Sequence, residues 1–256
     1  MTSYWHLSQT HLNILETCPP LFQKSYLQQL QSLPNLTREE SKEWGNLFHL
    51  KMQQYYGGLS LDQILTNDQN LNESLKGLIF AVQDLAESSD IISKKAEYQV
   101  NYTLRNYFFT AIYDLIILYP NKALIFDWKT YLKPQNEKTL VNHWQTKLYL
   151  YILAENFNYK PEQISFTYWF VKLPNKTQKL VINYNQSKHD RTKQDLNNIL
   201  DKLESLTYQY IENKINFPHH SKCQSCPHRH LFSELSNESD LEKSVPKSFD
   251  EIINSF

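Results

Sequence analysis

The sequence predicts an α/β layered domain, a mixed central sheet flanked by helices and preceded by an N-terminal helical segment. Three observations carry this. Residues 1–90 read as helical; from Glu97 the pattern turns to short runs rich in Tyr, Val, Ile and Phe; and two long helical stretches interleave with those runs. Leu7 to Leu33 is helical around a Pro19-Pro20 interruption. Thr37-Arg38-Glu39-Glu40 resembles a capping box and opens a helix to about Tyr56, stopped by Gly57-Gly58. Helical pattern returns at Leu61–Leu65 and Leu71–Glu87. Glu97–Leu104, Tyr107–Leu118 and Ala123–Lys129 then read as strands, with turns at Asn106 and at Tyr119-Pro120-Asn121. Thr139–Glu155 is a helix, Ile164–Leu173 and Lys179–Tyr184 a hairpin around Pro174-Asn175, and Ser187–Ile215 a last long helix.

Composition excludes several classes. The chain has 256 residues, 41% hydrophobic and 21% charged, enough for one packed domain without disulfide staples. No run approaches the roughly 20 apolar residues of a membrane span. The start of the chain lacks the basic and apolar regions of a secretory signal, so a cytoplasmic location is expected. Only four glycines occur, at 45, 57, 58 and 77, and neither a dinucleotide-binding nor a P-loop fingerprint can be written from them. A formal net charge of −1 gives no broad electrostatic footprint for nucleic acid, so any such role must rest on a site.

One site stands out. Asp114 lies inside the apolar run Ala111–Leu118, and Asp127 ends the run Ala123–Phe126. A strand apolar on both faces is buried, and a buried carboxylate needs a partner or a metal. A turn centred between Pro120 and Asn121 sets the two Asp directly opposite, with Cβ atoms about 4.5–5.5 Å apart. Lys129 shares the face of Asp127 by the period of two. Facing carboxylates with a lysine suit a hard divalent cation such as Mg²⁺, which lowers the pKa of a bound water and polarises a phosphoryl oxygen. The bland alternative is a structural salt bridge of Lys129 with one Asp. Alone, His49 reads as a packed histidine of an amphipathic helix, and Gln145 with Tyr149, four apart on one helix face, as packing.

Asp114 followed by Asp127-Trp128-Lys129 resembles the signature of the PD-(D/E)xK nuclease superfamily, and the strand–strand–helix order fits its restriction-endonuclease-like core. Gly45-Asn46-Leu47-Phe48-His49 and Gln145-Thr146-Lys147-Leu148-Tyr149 resemble the G-x-x-x-H and Q-x-x-x-Y motifs of its RecB-like exonuclease branch. The resemblance spans roughly Leu7 to Phe232. It implies a DNA nuclease acting in repair, recombination or defence, with Mg²⁺ or Mn²⁺ held by His49, Asp114, Asp127 and the Trp128 carbonyl. It implies a catalytic Lys129, with Gln145 and Tyr149 positioning lysine or substrate, and gives Glu97 a secondary role near the metal. Single-stranded or end-bearing DNA is the implied partner, and a helicase or defence complex is a further one it admits. The implied layout is one domain over 1–236, comprising a helical segment over 1–90, a catalytic core over 91–215 and a cysteine-bearing loop over 216–236, then a polar tail over 237–256. The alternative is a catalytically silent module of the same fold that binds nucleic acid or protein. A third reading is a zinc-stapled interaction protein unrelated to nucleases.

The three cysteines are too few for a disulfide framework. Many RecB-like nucleases hold a [4Fe–4S] cluster on four Cys, and Cys18, Cys223 and Cys226 match three of those positions. Phe232 stands at the fourth. His228 or His230 would complete a Cys₃His site suited to zinc or iron. An intact cluster, a zinc site and thiols without metal all remain open. The same segment carries His219, His220, Lys222, Arg229 and His230, a basic patch that would meet phosphates or solvent.

Overall fold

The computed structural model describes residues 5–29, 39–131, 136–172 and 177–219. The chain forms two compact units. Trp5–His6 and the described residues from Glu39 to Thr192 make the first; Leu7–Gln29 and Lys193–His219 make the second.

In the first unit a six-stranded sheet runs in the order β1 (Trp5–Leu7), β3 (Tyr107–Leu118), β4 (Ala123–Lys129), β5 (Ile164–Phe170), β6 (Gln178–Asn183). Strand β2 (Ser93–Leu104) pairs along the other edge of β3. The β2–β3, β3–β4 and β5–β6 pairs are antiparallel, and β4–β5 is parallel. A parallel pair needs a crossover, supplied here by α6 (Glu137–Asn142) and α7 (Trp144–Asn156). One sheet face carries α3 (Glu39–Tyr56), α4 (Leu61–Ile64) and α5 (Gln69–Ala86). Leu71, Leu75, Leu78, Val82 and Ala86 form one stripe of α5. They bury themselves with Phe48 and Met52 of α3 against Leu115, Ile117, Phe126 and Trp128. Helix α7 covers the other face.

The predicted strands stand close to where their aromatic and β-branched runs put them: β3 and β4 match, while β2 begins four residues early, at Ser93. Helix α3 ends at Tyr56 as expected, with the chain turning over Gly58 at φ +108°. Two expectations need correction. Thr139–Glu155 is not one helix: His143, extended at ψ 141°, separates α6 from α7 and accepts the Gln145 N–H as N-cap. Leu7–Leu33 is likewise divided. Trp5–Leu7 is a strand, α1 (Gln9–Thr17) stops at Cys18, Pro19 and Pro20 open α2 (Pro19–Phe22), and a π-helical turn spans Gln23–Leu27.

In the second unit Gln23 Oε1 accepts the Phe217 N–H at 2.6 Å, its Nε2 donates to Asn216 at 2.8 Å, and the Phe22 and Phe217 rings stack. Cys18 is buried there. Thr37, the Pro174-Asn175 turn, Cys223, Cys226, His228, His230, Phe232 and the tail lie outside the described residues. Among the described residues no helix is long and apolar enough to cross a membrane.

Candidate metal centre

Strand register brings three carboxylates into one row. Ala96 pairs with Leu115 and Tyr98 with Tyr113, which sets Glu97 opposite Asp114. Leu115 pairs with Phe126, which sets Asp127 across the next gap, the register expected from the sequence. Yet neither Glu97–Asp114 nor Asp114–Asp127 is a ladder pair; both ladders open at Asp114. Like charges directly opposite destabilise a sheet, and here the strands separate around them. The Trp128 N–H donates instead to Asp114 Oδ2 at 2.6 Å.

The β2–β3 ribbon also creases at this row. Glu97 has φ +47°, a conformation uncommon for a residue with a Cβ. Before the crease Tyr113 points to α7, its hydroxyl donating to the Tyr149 carbonyl at 3.0 Å. After it Leu115 belongs to the opposite, α3–α5 core. Residues two apart in a regular strand share a face, so the ribbon turns over between them. Asp114, at the turnover, is therefore reachable from both sides of the sheet.

From the α3 side comes His49. Its Nδ1 lies 3.4 Å from Asp114 Oδ1 and 3.6 Å from Glu97 Oε1. Burial alone would push this imidazole down; Asp114 and Glu97 more than reverse that and lift it to about 10. Burial raises the Asp114 carboxyl above its ordinary value against the pull of His49, and Asp127 adds to the rise. Gly45, one turn before His49, lets α3 approach closely: a Cβ there would lie 2.9 Å from Thr130 Oγ1.

From the α7 side comes a closed triangle. Lys129 Nζ sits 2.8 Å from Asp127 Oδ1 and donates to Gln145 Oε1 at 2.8 Å, while Gln145 Nε2 donates to Asp127 Oδ2 at 2.6 Å. The lysine also lies over the Tyr168 ring, 5.0 Å from its centroid. Its ammonium is close to Asp127 Oδ1 without being aligned to donate to it, so that oxygen is buried with no hydrogen bond. Burial, then the charge of Asp127, raises the Tyr149 phenol and keeps it protonated. Burial, then the Lys129 charge, lowers His143 to about 4, leaving it neutral as the cap of α7.

The structure thus brings together His49, Asp114, Asp127, Trp128, Lys129, Gln145 and Tyr149. It adds Glu97 as a full member of the cluster, where the resemblance implies only a secondary role. His49, Glu97 and Asp114 each offer a ligand atom within 4.8 Å of the others. Residues in a strand direct N–H and C=O to the same edge, so the Trp128 carbonyl faces the Asp114 side, as its N–H does. Lys129 behaves as its neighbour should, its carbonyl accepting from Val171 on the far edge.

The sequence profile of the PD-(D/E)XK nuclease superfamily matches residues 6–231. The chain belongs to this superfamily. Two solved structures are similar to it. The crystal structure of SSO0001 is 12% identical over 91% of this chain and 88% of its own, with a TM-score of 0.41. A protein from Eubacterium rectale, named only provisionally as an exonuclease, is 14% identical over 95% of this chain and 94% of its own, with a TM-score of 0.49. No curated protein matches. PD-(D/E)XK nucleases use divalent metals. The donor set here fits one: hard carboxylate oxygens, one imidazole, a carbonyl on the same edge, and a buried carboxylate oxygen without a hydrogen bond.

Proposed function

We propose that the chain is a divalent-metal-dependent deoxyribonuclease of the RecB-like type, an exonuclease working on single-stranded or end-bearing DNA in repair, recombination or defence. The observation that supports this most is the meeting of two clusters at one opening of the sheet. Glu97, Asp114 and His49 supply ligands from one side. From the other, Asp127 and Lys129 form an ion pair, and Gln145 hydrogen-bonds to both.

In this reading His49, Asp114, Asp127 and the Trp128 carbonyl hold Mg²⁺ or Mn²⁺, and Glu97 joins them. The cation, when bound, supplies Lewis acidity and charge neutralisation for phosphodiester hydrolysis. Lys129 is the catalytic lysine. Asp127 and Gln145 fix its ammonium in place, so its charge is aimed at the scissile phosphate without reorganisation. The Gln145 amide can be oriented only one way, because lysine donates and the Asp127 carboxylate accepts. Tyr149, buried and protonated beside Gln145, helps to position that amide.

The test is cleavage of end-labelled single- and double-stranded DNA with Mn²⁺, Mg²⁺ or EDTA, beside D114A, D127A and K129A. Cleavage that needs metal and falls by at least about a hundredfold in each variant is expected. Full activity in D114A and D127A would sink the assignment, and no cleavage by folded protein under any metal would favour the silent binding module.

A further inference from the structure

The β2–β3 ribbon has one covered face and one open face. Toward α7 point Tyr102, whose hydroxyl donates to Glu155, and Tyr113, bonded to Tyr149. The alternate residues point the other way, paired as Gln99 with Ile112, Asn101 with Thr110, and Thr103 with Phe108. Gln99, Asn101, Thr103 and Ile112 are exposed, Ile112 to 43%, and Thr110 and Phe108 are half-buried. At the far end His6 of β1 packs its ring on Phe108, with centroids 4.5 Å apart. At the near end the row stops at the crease, where Glu97 and Asp114 come next along the two strands without pairing.

We infer that this open face is a ramp that guides a single strand of DNA into the metal centre, bases against the protein and phosphates toward water. The inference rests on the nuclease reading above and specifies its substrate. Four features carry it. First, the face abuts the candidate ligands: the paired row from Thr103–Phe108 through Asn101–Thr110 to Gln99–Ile112 stops at the crease that carries Glu97 and Asp114. Second, it is two β-strands wide, and neighbouring strands lie about 4.8 Å apart, so it matches one nucleic-acid strand rather than a duplex. Third, its chemistry suits bases. Phe108 and His6 offer ring faces and Ile112 exposed aliphatic surface, and bases are available for stacking only when a strand is unpaired. Asn101 Oδ1 already accepts from Gln99 Nε2 at 3.0 Å and from Thr110 Oγ1 at 3.1 Å. That leaves the Asn101 amino group and the Gln99 carbonyl facing outward for base edges. Fourth, none of the six ribbon residues carries a charge. The face neither repels a polyanion nor grips phosphate, so binding there is by base contact. Spanning Glu97 to Thr103 at about 3.4 Å per residue, the ramp is roughly 20 Å long, room for a few nucleotides.

The experiment compares the full chain with I112E and Q99E, two exposed positions where the fold should persist, checked by circular dichroism. Binding of a fluorescein-labelled mixed-sequence oligodeoxynucleotide, single-stranded or as a blunt duplex, is followed by anisotropy with Ca²⁺ and with EDTA. Cleavage is followed separately with Mn²⁺. Single-strand affinity should fall about tenfold or more in I112E and several-fold in Q99E, the loss in cleavage appearing in KM. Mn²⁺ affinity, read from tryptophan fluorescence, should stay at the parent value. If both variants bind and cut single strands like the parent, the ramp is wrong while the nuclease reading stands. If the parent binds single strands, loses that binding in the variants and cuts nothing, the ramp stands and the nuclease reading fails. If the parent binds no single strand at all, the ramp is wrong.

Discussion

Gly45 shows how a residue with no chemistry of its own can set the chemistry of another. It lies four positions before His49, and its missing Cβ is what lets α3 approach Thr130. In G45A the new methyl would meet Thr130 Oγ1 at 2.9 Å, and either the threonine rotates or α3 lifts, taking His49 with it. We expect G45A to weaken Mn²⁺ binding by about tenfold or more, since small displacements at such sites are costly. Adding T130A should restore it, and because Ala is the better helix former by about 1 kcal/mol, the double variant should be no less stable than the parent. Titration of Mn²⁺ into the three proteins checks this; equal affinity in G45A would show that Thr130 yields freely. Much of the site is legible residue by residue. Asp114 and Asp127 betray themselves by sitting in or at the end of apolar runs and Lys129 by sharing the face of Asp127, whereas the helical spacing of Gln145 and Tyr149 reads as packing and only the family resemblance gives them a place in the site. The full role of Glu97 is not legible, because it depends on a backbone conformation at φ +47° that nothing in Ala96-Glu97-Tyr98 signals. Nor is Tyr168 beneath Lys129, since only the parallel β4–β5 register sets it beside Asp127.

Among the elements, the break between α6 and α7 matters most to the site. An uninterrupted helix from Thr139 would carry Gln145 in mid-helix. The kink at His143 makes Gln145 a first-turn residue of α7, its N–H capped by the imidazole and its side chain joined to Asp127 and Lys129. The helix's positive end thereby lies beside the Asp127 carboxylate. The sequence pattern hides this break: the apolar periodicity runs through it, and His is not among the strong capping residues. His143 must be neutral to accept that N–H, and it is held at about 4, below the ordinary 6.5. The unfolded chain takes up a proton near 6.5 and the folded one only near 4. The stability this residue contributes is therefore complete above pH 6.5 and lost as pH falls toward 4. Asparagine caps well and does not titrate, so H143N should match the parent at about pH 7.5 to within about 0.5 kcal/mol and lose less stability on acidification. Urea midpoints between about pH 7.5 and about pH 4.5 decide it: parallel decline of the two proteins would mean that His143 is not the residue being protonated.

At the scale of the whole molecule, the sheet opens where its charges gather. Predicted runs located the strands, but their order across the sheet was not legible. The placement of β5 beside β4 comes from a crossover, and that of β2 on the outer edge of β3 from pairing along its full length. That order is what sets Glu97, Asp114 and Asp127 in neighbouring strands, at a point where two ladders lose their pairing. A cation binding only the folded arrangement converts this weak point into a source of stability, by an amount fixed by mass action. At a free Mn²⁺ concentration about a hundred times Kd the gain is about 2.7 kcal/mol. For a chain of this size each kcal/mol raises Tm by about 2–4 °C, so a rise of roughly 5–10 °C is expected, reversed by EDTA. D114N is the informative variant. Asparagine keeps the shape of the side chain and an oxygen to accept the Trp128 N–H, but it removes the charge a hard cation requires. Its Tm should hardly respond to Mn²⁺. Differential scanning calorimetry of both proteins with Mn²⁺ and with EDTA makes the comparison. A shift of equal size in D114N would place the stabilising metal elsewhere in the chain, and the row of carboxylates would then have to be explained as structure alone.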